Sequence, residues 1–202
     1  MNPKNNSQNE TGIRDNYNRG SVAEFLREKI KDGSNLSIVS AYFTIYAYDA
    51  LKETLNSAKH LRFLFGEPSF VRSLDPQKTE TQAFKIEAEG LELKNKLEQR
   101  RVARECAEWI VEKVDIRSIR KSNLLHGKMY HIDNNGVEEA ILGRSNLTVS
   151  GMGLGAHGNN IELNLVVNDN RDRRDLKAWF DDIWKDDQLV ADVKEGVLAY
   201  LA

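Results

Sequence analysis

Apolar and polar residues follow one another in blocks that predict alternating helices and strands. Directly after Ser21, apolar residues recur at the i, i+3, i+4 and i+8 spacing of an amphipathic helix, with Ser21 as its N-cap and Gly33 as its stop. The β-branched and aromatic run at residues 36–43 predicts a strand, residues 50–58 a helix, and residues 61–65 a second strand. This order predicts an α/β sandwich with both strands buried in the centre of a sheet.

The second half of the chain is predicted to contain most of the strands. Residues 81–114 have broadly helical spacing, interrupted near Gly90, and helices are also predicted around residues 176–180 and over residues 190–201. The segment 133–136, Asp-Asn-Asn-Gly, predicts a hairpin, because Asn and Gly tolerate the positive φ angles of tight turns. The predicted strands in this half are residues 114–119, 124–132, 138–142 and 161–167.

Composition limits the class of protein. The chain has 202 residues, 40% hydrophobic and 30% charged, which excludes collagen-like, disulfide-rich and wholly disordered proteins. Residues 1–18 offer almost nothing to bury and predict a disordered leader, followed by one domain over residues 19–202. With no membrane-length apolar run, no signal-peptide core and only Cys106 as a thiol, we expect a cytoplasmic protein without a membrane partner, a disulfide or a Cys-rich zinc site.

Charge gives only local hints of a binding partner. The formal net charge of -2 provides no overall attraction to nucleic acid or to an anionic membrane. Residues 94–121 nevertheless carry nine basic and five acidic side chains. One interpretation is a solvated helix face with i, i+4 ion pairs, and the other is a footprint for a phosphate backbone.

One segment combines residue types that suit phosphodiester chemistry. Side chains alternate along a strand, so His126 and Lys128 are expected to share one face. An imidazole can attack phosphorus or protonate the leaving oxygen, and an ammonium fixed beside it suits a site that acts on a phosphodiester. Asp133 has the opposite parity and opens the predicted hairpin, which indicates a structural, Asx-type turn contact rather than direct chemistry.

The spacing of these residues resembles the signature of the phospholipase D superfamily, H-x-K-x4-D followed by G-S-x-N. His126, Lys128 and Asp133 match its first part, and Gly143 and Asn146 match the ends of its second part. Most of the chain is similar to the superfamily branch found as small nucleases, restriction enzymes and helicase-associated nuclease domains. The resemblance implies an α-β-α sandwich around a mixed β-sheet, with a single HKD motif per chain.

Two departures from the signature affect what the resemblance implies. Arg144 stands where the family usually has serine, and Ser145 follows one place later. Whichever of the two points inward is expected to contact phosphate, and Arg144 is the candidate because a guanidinium binds two phosphate oxygens at once. The same substitution also fits a weakened or altered site. The segment between Asp133 and Gly143 is longer than usual, which a longer hairpin absorbs at little cost.

The resemblance implies a mechanism that needs neither a metal nor a cofactor. One histidine forms a phosphohistidine and a second histidine protonates the leaving oxygen. In this scheme His126 is catalytic, and Lys128 and Asn146 hold the non-bridging oxygens as charge builds on them. Glu162 is implied to orient His126 through its second ring nitrogen, while Gly143 is structural support.

The chain contains a single H-x-K sequence, because His60-Leu61-Arg62 and His131-Ile132-Asp133 fail the pattern. A mechanism with two histidines must then take the second from another subunit, which predicts a homodimer. The leading interpretation is a metal-independent phosphodiesterase that acts on nucleic acid, DNA in preference to RNA, as a nuclease or restriction-type endonuclease domain. A helicase or restriction module on a longer chain is a further expected partner.

Two alternatives stay open. One is a phospholipid phosphodiesterase, and the other is a non-catalytic nucleic-acid-binding or dimerisation domain of a helicase or restriction protein. The other chemically suggestive residues predict ordinary roles: His60 and His131 are expected to be structural, and Cys106 a packed core thiol. The glycine-rich residues 151–158 are expected to form a loop bordering the site, because they join no strand to a helix in a βαβ unit.

Overall fold

The computed structural model of the chain describes residues 12–66, 84–85, 96–122, 124–156 and 158–202. The helices in this part of the chain are α1 (Val22–Lys29), α2 (Ile45–Ser57), α3 (Lys96–Lys113), α4 (Val149–Met152), α5 (Asn170–Lys185) and α6 (Lys194–Leu201). The strands are β1 (Ile13–Arg14), β2 (Asn35–Ser40), β3 (Phe43–Thr44), β4 (His60–Phe65), β5 (Phe84–Lys85), β6 (Val114–Ile119), β7 (Lys128–Asn134), β8 (Val137–Gly143), β9 (Asn164–Val167) and β10 (Val190–Asp192).

Eight of these strands form one mixed sheet in the order β1-β9-β8-β7-β2-β4-β6-β10. Strands β2, β4 and β6 are parallel to one another, and every other neighbouring pair of the sheet is antiparallel. Five consecutive residues of β2 are buried, as expected for a central strand covered on both faces. The sheet and its helices confirm the α/β class and the α-β-α sandwich.

Alternate residues of the strands point into two separate cores. On one face, Tyr130 and Ile141 belong to the larger core, which includes residues of α1, α2, α3 and α6. On the other face, Val39 and Met129 pack with Phe180 of α5. On this second face Leu142 of β8 and Leu165 of β9 remain exposed.

Local signals explain where the first helices begin. The Ser21 hydroxyl accepts a hydrogen bond from the Glu24 backbone N–H, and the Glu24 carboxylate accepts one from the Ser21 N–H. This capping box confirms Ser21 as the N-cap of α1. Helix α2 begins at residue 45, earlier than predicted, because the Thr44 hydroxyl caps it by accepting from the Ala47 N–H at 3.2 Å.

The β7–β8 hairpin has the predicted two-residue turn. Asn135 and Gly136 both adopt positive φ, 55° and 93°, between the paired residues Asn134 and Val137. The Asp133 carboxylate accepts a hydrogen bond from the Gly136 N–H at 2.7 Å. This is the Asx-type contact that the sequence predicts for Asp133.

The predicted leader is corrected at its carboxyl end. Ile13–Arg14 pairs with Leu165 and Asn164 of β9, so residues 12–18 are not disordered. This stretch is ordered although it is poor in apolar residues. Its main chain pairs with β9, and the Asp15 carboxylate accepts hydrogen bonds from the Tyr17 and Arg19 N–H groups. Residues 1–11 lie outside the described part of the chain.

Two predicted helical stretches also need correction. Val190–Asp192 forms the edge strand β10, because it pairs with β6, and only the residues after it are helical. Phe84–Lys85 is extended and pairs with β3, while residues 86–95, including Gly90, lie outside the described residues. In the described residues, no helix combines the length and the apolar character needed to cross a membrane.

Candidate functional site

The motif residues lie at the carboxyl edge of the parallel strands β2 and β4. Strand β7 begins at Lys128, and the next residue, Met129, pairs with Val39 near the end of β2. Just after β4, a Cβ atom on Gly66 would lie only 2.8 Å from the Leu125 carbonyl oxygen, so the segment leading into β7 passes directly over this edge. Open α/β sheets bind their ligands at the carboxyl ends of their strands.

His126 lies immediately before β7 rather than within it. The predicted strand over residues 124–132 begins at Lys128, so strand alternation does not fix the direction of the His126 side chain. His126 and Gly127 are exposed, and the Lys128 ammonium donates a hydrogen bond to the His126 carbonyl oxygen at 2.9 Å. The lysine is therefore tied to the main chain of the histidine, whose side chain is accessible to a substrate.

The side-chain amide of Asn146 is oriented by the end of β2. Its Oδ1 accepts a hydrogen bond from the Ala41 N–H at 3.0 Å and lies 3.2 Å from the Ser40 hydroxyl. A backbone N–H can only donate, so the amide oxygen must face it and the amide NH₂ must point away from β2. Asn146 thus offers its two donors on the side away from the strand, as a group that holds phosphate oxygens requires.

Ser145 and Arg144 occupy opposite environments. Ser145 is fully buried, and its hydroxyl accepts a hydrogen bond from Asn164 Nδ2 at 2.9 Å. Arg144 is exposed, and within the described parts of the chain its guanidinium forms no hydrogen bond or ion pair. Ser145 therefore stabilises the turn through a buried hydrogen bond. Of the two residues, only Arg144 is exposed and can contact a ligand.

Asn164 holds the turn that carries Arg144, Ser145 and Asn146. Its Oδ1 accepts from the Arg144 and Ser145 N–H groups, at 3.2 Å each, and its Nδ2 donates to the Arg14 carbonyl as well as to Ser145. The approach is so close that a Cβ on Gly143 would lie 2.3 Å from the Leu163 carbonyl oxygen. Glycine is required at 143 for this reason.

Tyr130 joins this turn to β2 and β7. Its hydroxyl donates to the Ser145 carbonyl oxygen at 2.8 Å. Burial raises the pKa of Tyr130 above its ordinary value, and the negative charge of Glu162 raises it further. Glu162 is thus close enough to act electrostatically on a side chain of the motif strand. Its implied role in orienting His126 stays a prediction.

Sequence analysis did not identify Ser40, Tyr130 and Asn164 as parts of the site. All three are buried and are bonded to the turn or to Asn146. The sequence does contain a signal for two of them, because a polar residue interrupts an apolar strand pattern at Ser40, at the end of β2, and at Asn164, within residues 161–167.

Of the remaining histidines, His60 and His131 lie within the described residues, and both have structural surroundings, as does Cys106. His60 Nε2 lies 3.0 Å from Asp115 Oδ2 at the amino ends of β4 and β6, far from the motif. His131 is buried, and Cys106 is buried with its pKa raised by desolvation, as expected for a core thiol. The glycine-rich stretch is not wholly a loop, because its first residues belong to α4, which Thr148 caps. His157 lies outside the described residues.

The basic segment is partly an ion-paired helix face. Arg101 of α3 pairs with Glu98 and Glu105, and Lys52 of α2 pairs with Glu105. These contacts fit the interpretation of a solvated face for this part of the helix. Arg100 and Arg104 do not share these ion pairs.

Comparisons with known proteins identify a matching family and a similar fold. Residues 26–184 match the protein family described as "Cardiolipin synthase, PLD-like domain". No curated protein sequence matches the chain. Among solved structures, the chain is similar to polyphosphate kinase from Porphyromonas gingivalis, with a TM-score of 0.50 and 10% sequence identity over 87% of this chain. The match spans only 22% of the kinase chain, and at this identity it concerns the fold alone.

Proposed function

Since the chain belongs to the family of PLD-like domains, we propose that it is a metal-independent phosphodiesterase that cleaves nucleic acid, DNA in preference to RNA. The observation that carries the proposal is the exposed His126 beside Lys128 at the carboxyl edge of β2, where Asn146 turns its amide donors outward. A nucleophile, a fixed cation and two oriented N–H donors are what a displacement at phosphorus needs.

The proposed reaction has two steps. In the first, an imidazole nitrogen of His126 bonds to phosphorus, the bond from phosphorus to the leaving oxygen breaks, and a second histidine protonates that oxygen. In the second, this histidine takes a proton from water, the water oxygen bonds to phosphorus, and His126 is released. Lys128 and Asn146 stabilise the negative charge that builds on the non-bridging oxygens.

The second histidine is proposed to be His126 of another copy of the chain. The sequence has one H-x-K, so a single chain supplies the nucleophile or the acid but not both from this motif. A two-fold axis beside the motif would place the same residue in both roles.

A polymeric phosphate substrate is favoured by exposed arginines near the site. Arg144 directly precedes the turn residues Ser145 and Asn146. Helix α3 runs into β6 at the amino edge of the sheet, so its first half, with the exposed Arg100 and Arg104, lies toward the edge that carries the motif. Cations spread along one edge suit a phosphate backbone better than a single headgroup. Exposed Arg144 in place of serine also favours a second candidate function, nucleic-acid binding without cleavage.

The proposal is tested by hydrolysis of bis(p-nitrophenyl) phosphate and of single- and double-stranded DNA in the presence of EDTA. Wild type should cleave with the chelator present, and His126→Ala should be inactive. His60→Ala is the matched control, because His60 is also partly exposed but lies at the opposite edge. Activity that EDTA removes and magnesium or zinc restores would overturn the mechanism, and DNA binding without any hydrolysis would establish the non-catalytic alternative.

A further inference from the structure

The amino-terminal end of the described chain runs along the segment that carries Glu162 and Asn164. Ile13–Arg14 pairs with β9, and the Arg14 carbonyl oxygen accepts a hydrogen bond from Asn164 Nδ2 at 3.0 Å. One residue later, the Asp15 carbonyl oxygen accepts a hydrogen bond from the Glu162 N–H at 3.1 Å. This stretch therefore supplies main-chain acceptors to both residues.

The next residue, Asn16, joins three parts of the structure through its side chain. Its Oδ1 accepts from the N–H of Val22, the first residue of α1, at 3.2 Å. Its Nδ2 donates to the Gly151 carbonyl oxygen in α4 at 2.8 Å and to the Asn160 carbonyl oxygen at 3.4 Å, two residues before Glu162. Because a main-chain N–H only donates and a carbonyl only accepts, these partners fix the orientation of the amide.

The backbone at Asn16 also suits asparagine. Its φ angle is 60°, in the left-handed region that asparagine enters more readily than most residues with a side chain. Aspartate tolerates the same backbone but has no N–H donor, and glycine has no side chain to donate or accept. Asparagine combines the turn with one acceptor and two donors, which is what the three contacts of Asn16 use.

Helix α4 connects Asn16 to the turn of the site. A Cβ atom on Gly151 would lie only 2.5 Å from the Asn146 carbonyl oxygen, and Thr148, the N-cap of α4, donates from its N–H to the same oxygen at 2.8 Å. The Asn160 N–H in turn donates to the Ser150 carbonyl oxygen at 3.3 Å. Contacts this close leave no space that could absorb a shift of Gly151, so such a shift moves Asn146 as well.

We infer that Asn16 is a positioning residue of the active site, which holds α4, and through it Asn146, against the segment that carries Glu162. The inference rests on the proposed function, because it concerns how the Asn146 donors meet the phosphate that His126 attacks. Asn16 belongs to neither sequence motif and lies outside the family match over residues 26–184. It acts on the reaction through the alignment of other groups.

The test compares Asn16→Asp with Asn134→Asp. Both asparagines donate from Nδ2 to a main-chain carbonyl oxygen, that of Gly151 or that of Lys29, and aspartate removes this donor while it keeps an acceptor oxygen. Asn134 is the matched control, because it lies at the hairpin end of β7, away from the site. For bis(p-nitrophenyl) phosphate, Asn16→Asp should lower kcat by about 10- to 100-fold and change KM by less than about 2-fold, whereas Asn134→Asp should keep the wild-type kcat.

A second variant and a binding measurement separate positioning from folding. Asn16→Gly keeps the left-handed backbone, removes the whole side chain and should show the same loss of kcat. Thermal unfolding of each variant identifies the temperatures at which all of them are folded. Calorimetric titration with orthovanadate, whose five-coordinate adducts mimic the transition state at phosphorus, should show binding about 10-fold weaker in both Asn16 variants and unchanged in Asn134→Asp.

The outcomes distinguish the inference from the proposed function. If both Asn16 variants match wild type in kcat and in vanadate affinity, Asn16 is not a positioning residue, and hydrolysis by wild type leaves the proposed function standing. Equal losses in Asn134→Asp, or losses only where the Asn16 variants are unfolded, also overturn the inference. A wild type that hydrolyses nothing but loses vanadate affinity only in the Asn16 variants supports the inference and refutes the proposed function. A wild type that neither hydrolyses nor binds vanadate refutes both.

Discussion

Two donors of the site are aimed by main-chain atoms rather than by other side chains. The Lys128 ammonium is held by the His126 carbonyl oxygen, and the Asn146 amide by the Ala41 N–H. These two main-chain groups lie next to the ends of β7 and β2, so both donors have a hydrogen-bonded orientation before a substrate arrives. Such preorganisation is the main source of electrostatic stabilisation in a transition state.

Lys128→Ala should lower kcat by about 10²- to 10³-fold and leave the fold intact, because it removes the charge that is proposed to stabilise the transition state. Lys31→Ala is the matched control: the Lys31 ammonium also donates to a backbone carbonyl, that of Glu28, but at the opposite edge of the sheet. The measurement is steady-state hydrolysis together with thermal unfolding. Unchanged kinetics for Lys128→Ala would place the site elsewhere.

Arg144→Ser should weaken binding of DNA more than it slows hydrolysis of a small phosphodiester, because the exposed guanidinium is proposed to contact a phosphate of the polymer. The expected signature is a smaller salt dependence, with the slope of log K against log salt reduced by about 1. Binding titrations at several salt concentrations measure this slope. A variant with the wild-type slope would show that Arg144 contacts no phosphate.

At the scale of elements, the turn after β8 is held by β9. Asn164 bonds to the backbone of Arg144 and Ser145, and Gly143 lets the two strands approach. Position 143 is therefore a steric requirement of the strand pair, and the family glycine has a structural reason in this chain.

Gly143→Ala should destabilise the protein by about 1–3 kcal/mol, because the new methyl group would overlap the Leu163 carbonyl oxygen and Asn164 Oδ1 and push β8 from β9. Gly127→Ala is the control, since a Cβ there meets no atom within 4 Å and should change stability by less than about 0.5 kcal/mol. Urea unfolding of both variants measures the difference. Equal stabilities would contradict the close approach at Gly143.

Sequence patterns predicted the elements whose signals are local. The capping box at Ser21, the Asn135-Gly136 turn and the buried strand β2 each depend on neighbouring residues. The edge strands β1 and β10 depend instead on pairing with distant strands, which no local pattern shows. The same holds within the site: the motif identified His126 and Lys128, but the contact of Asn164 with Ser145 joins β9 to the turn after β8, which is distant in sequence.

At the scale of the whole molecule, His131 is a buried group that opposes stability in acid. Burial is the main cause that lowers the pKa of His131 below its ordinary value of 6.5. Lys177 lowers the pKa further, while Glu138, whose Oε1 lies 3.1 Å from Nε2, and Asp133 raise it. At pH values below 6.5 but above the pKa of His131 in the folded protein, His131 binds a proton in the unfolded chain more often than in the folded chain.

The free energy of unfolding should therefore fall as pH is lowered from 7 toward 5, by up to about 1.4 kcal/mol per pH unit from this residue. His131→Asn should reduce the slope relative to wild type, because it removes the buried imidazole. Urea unfolding at several pH values provides the data. Identical slopes for wild type and His131→Asn would assign the acid sensitivity to other groups.

We propose that two copies of His126 serve one active site, and mixed dimers provide the test. Equal amounts of wild type and His126→Ala are denatured together and refolded, so that random pairing leaves about one quarter of the dimers fully wild type. If one histidine attacks and the other protonates, hydrolysis should fall to about one quarter of an all-wild-type control. Activity near one half, as independent sites would give, or full activity from a monomer, would contradict the shared site.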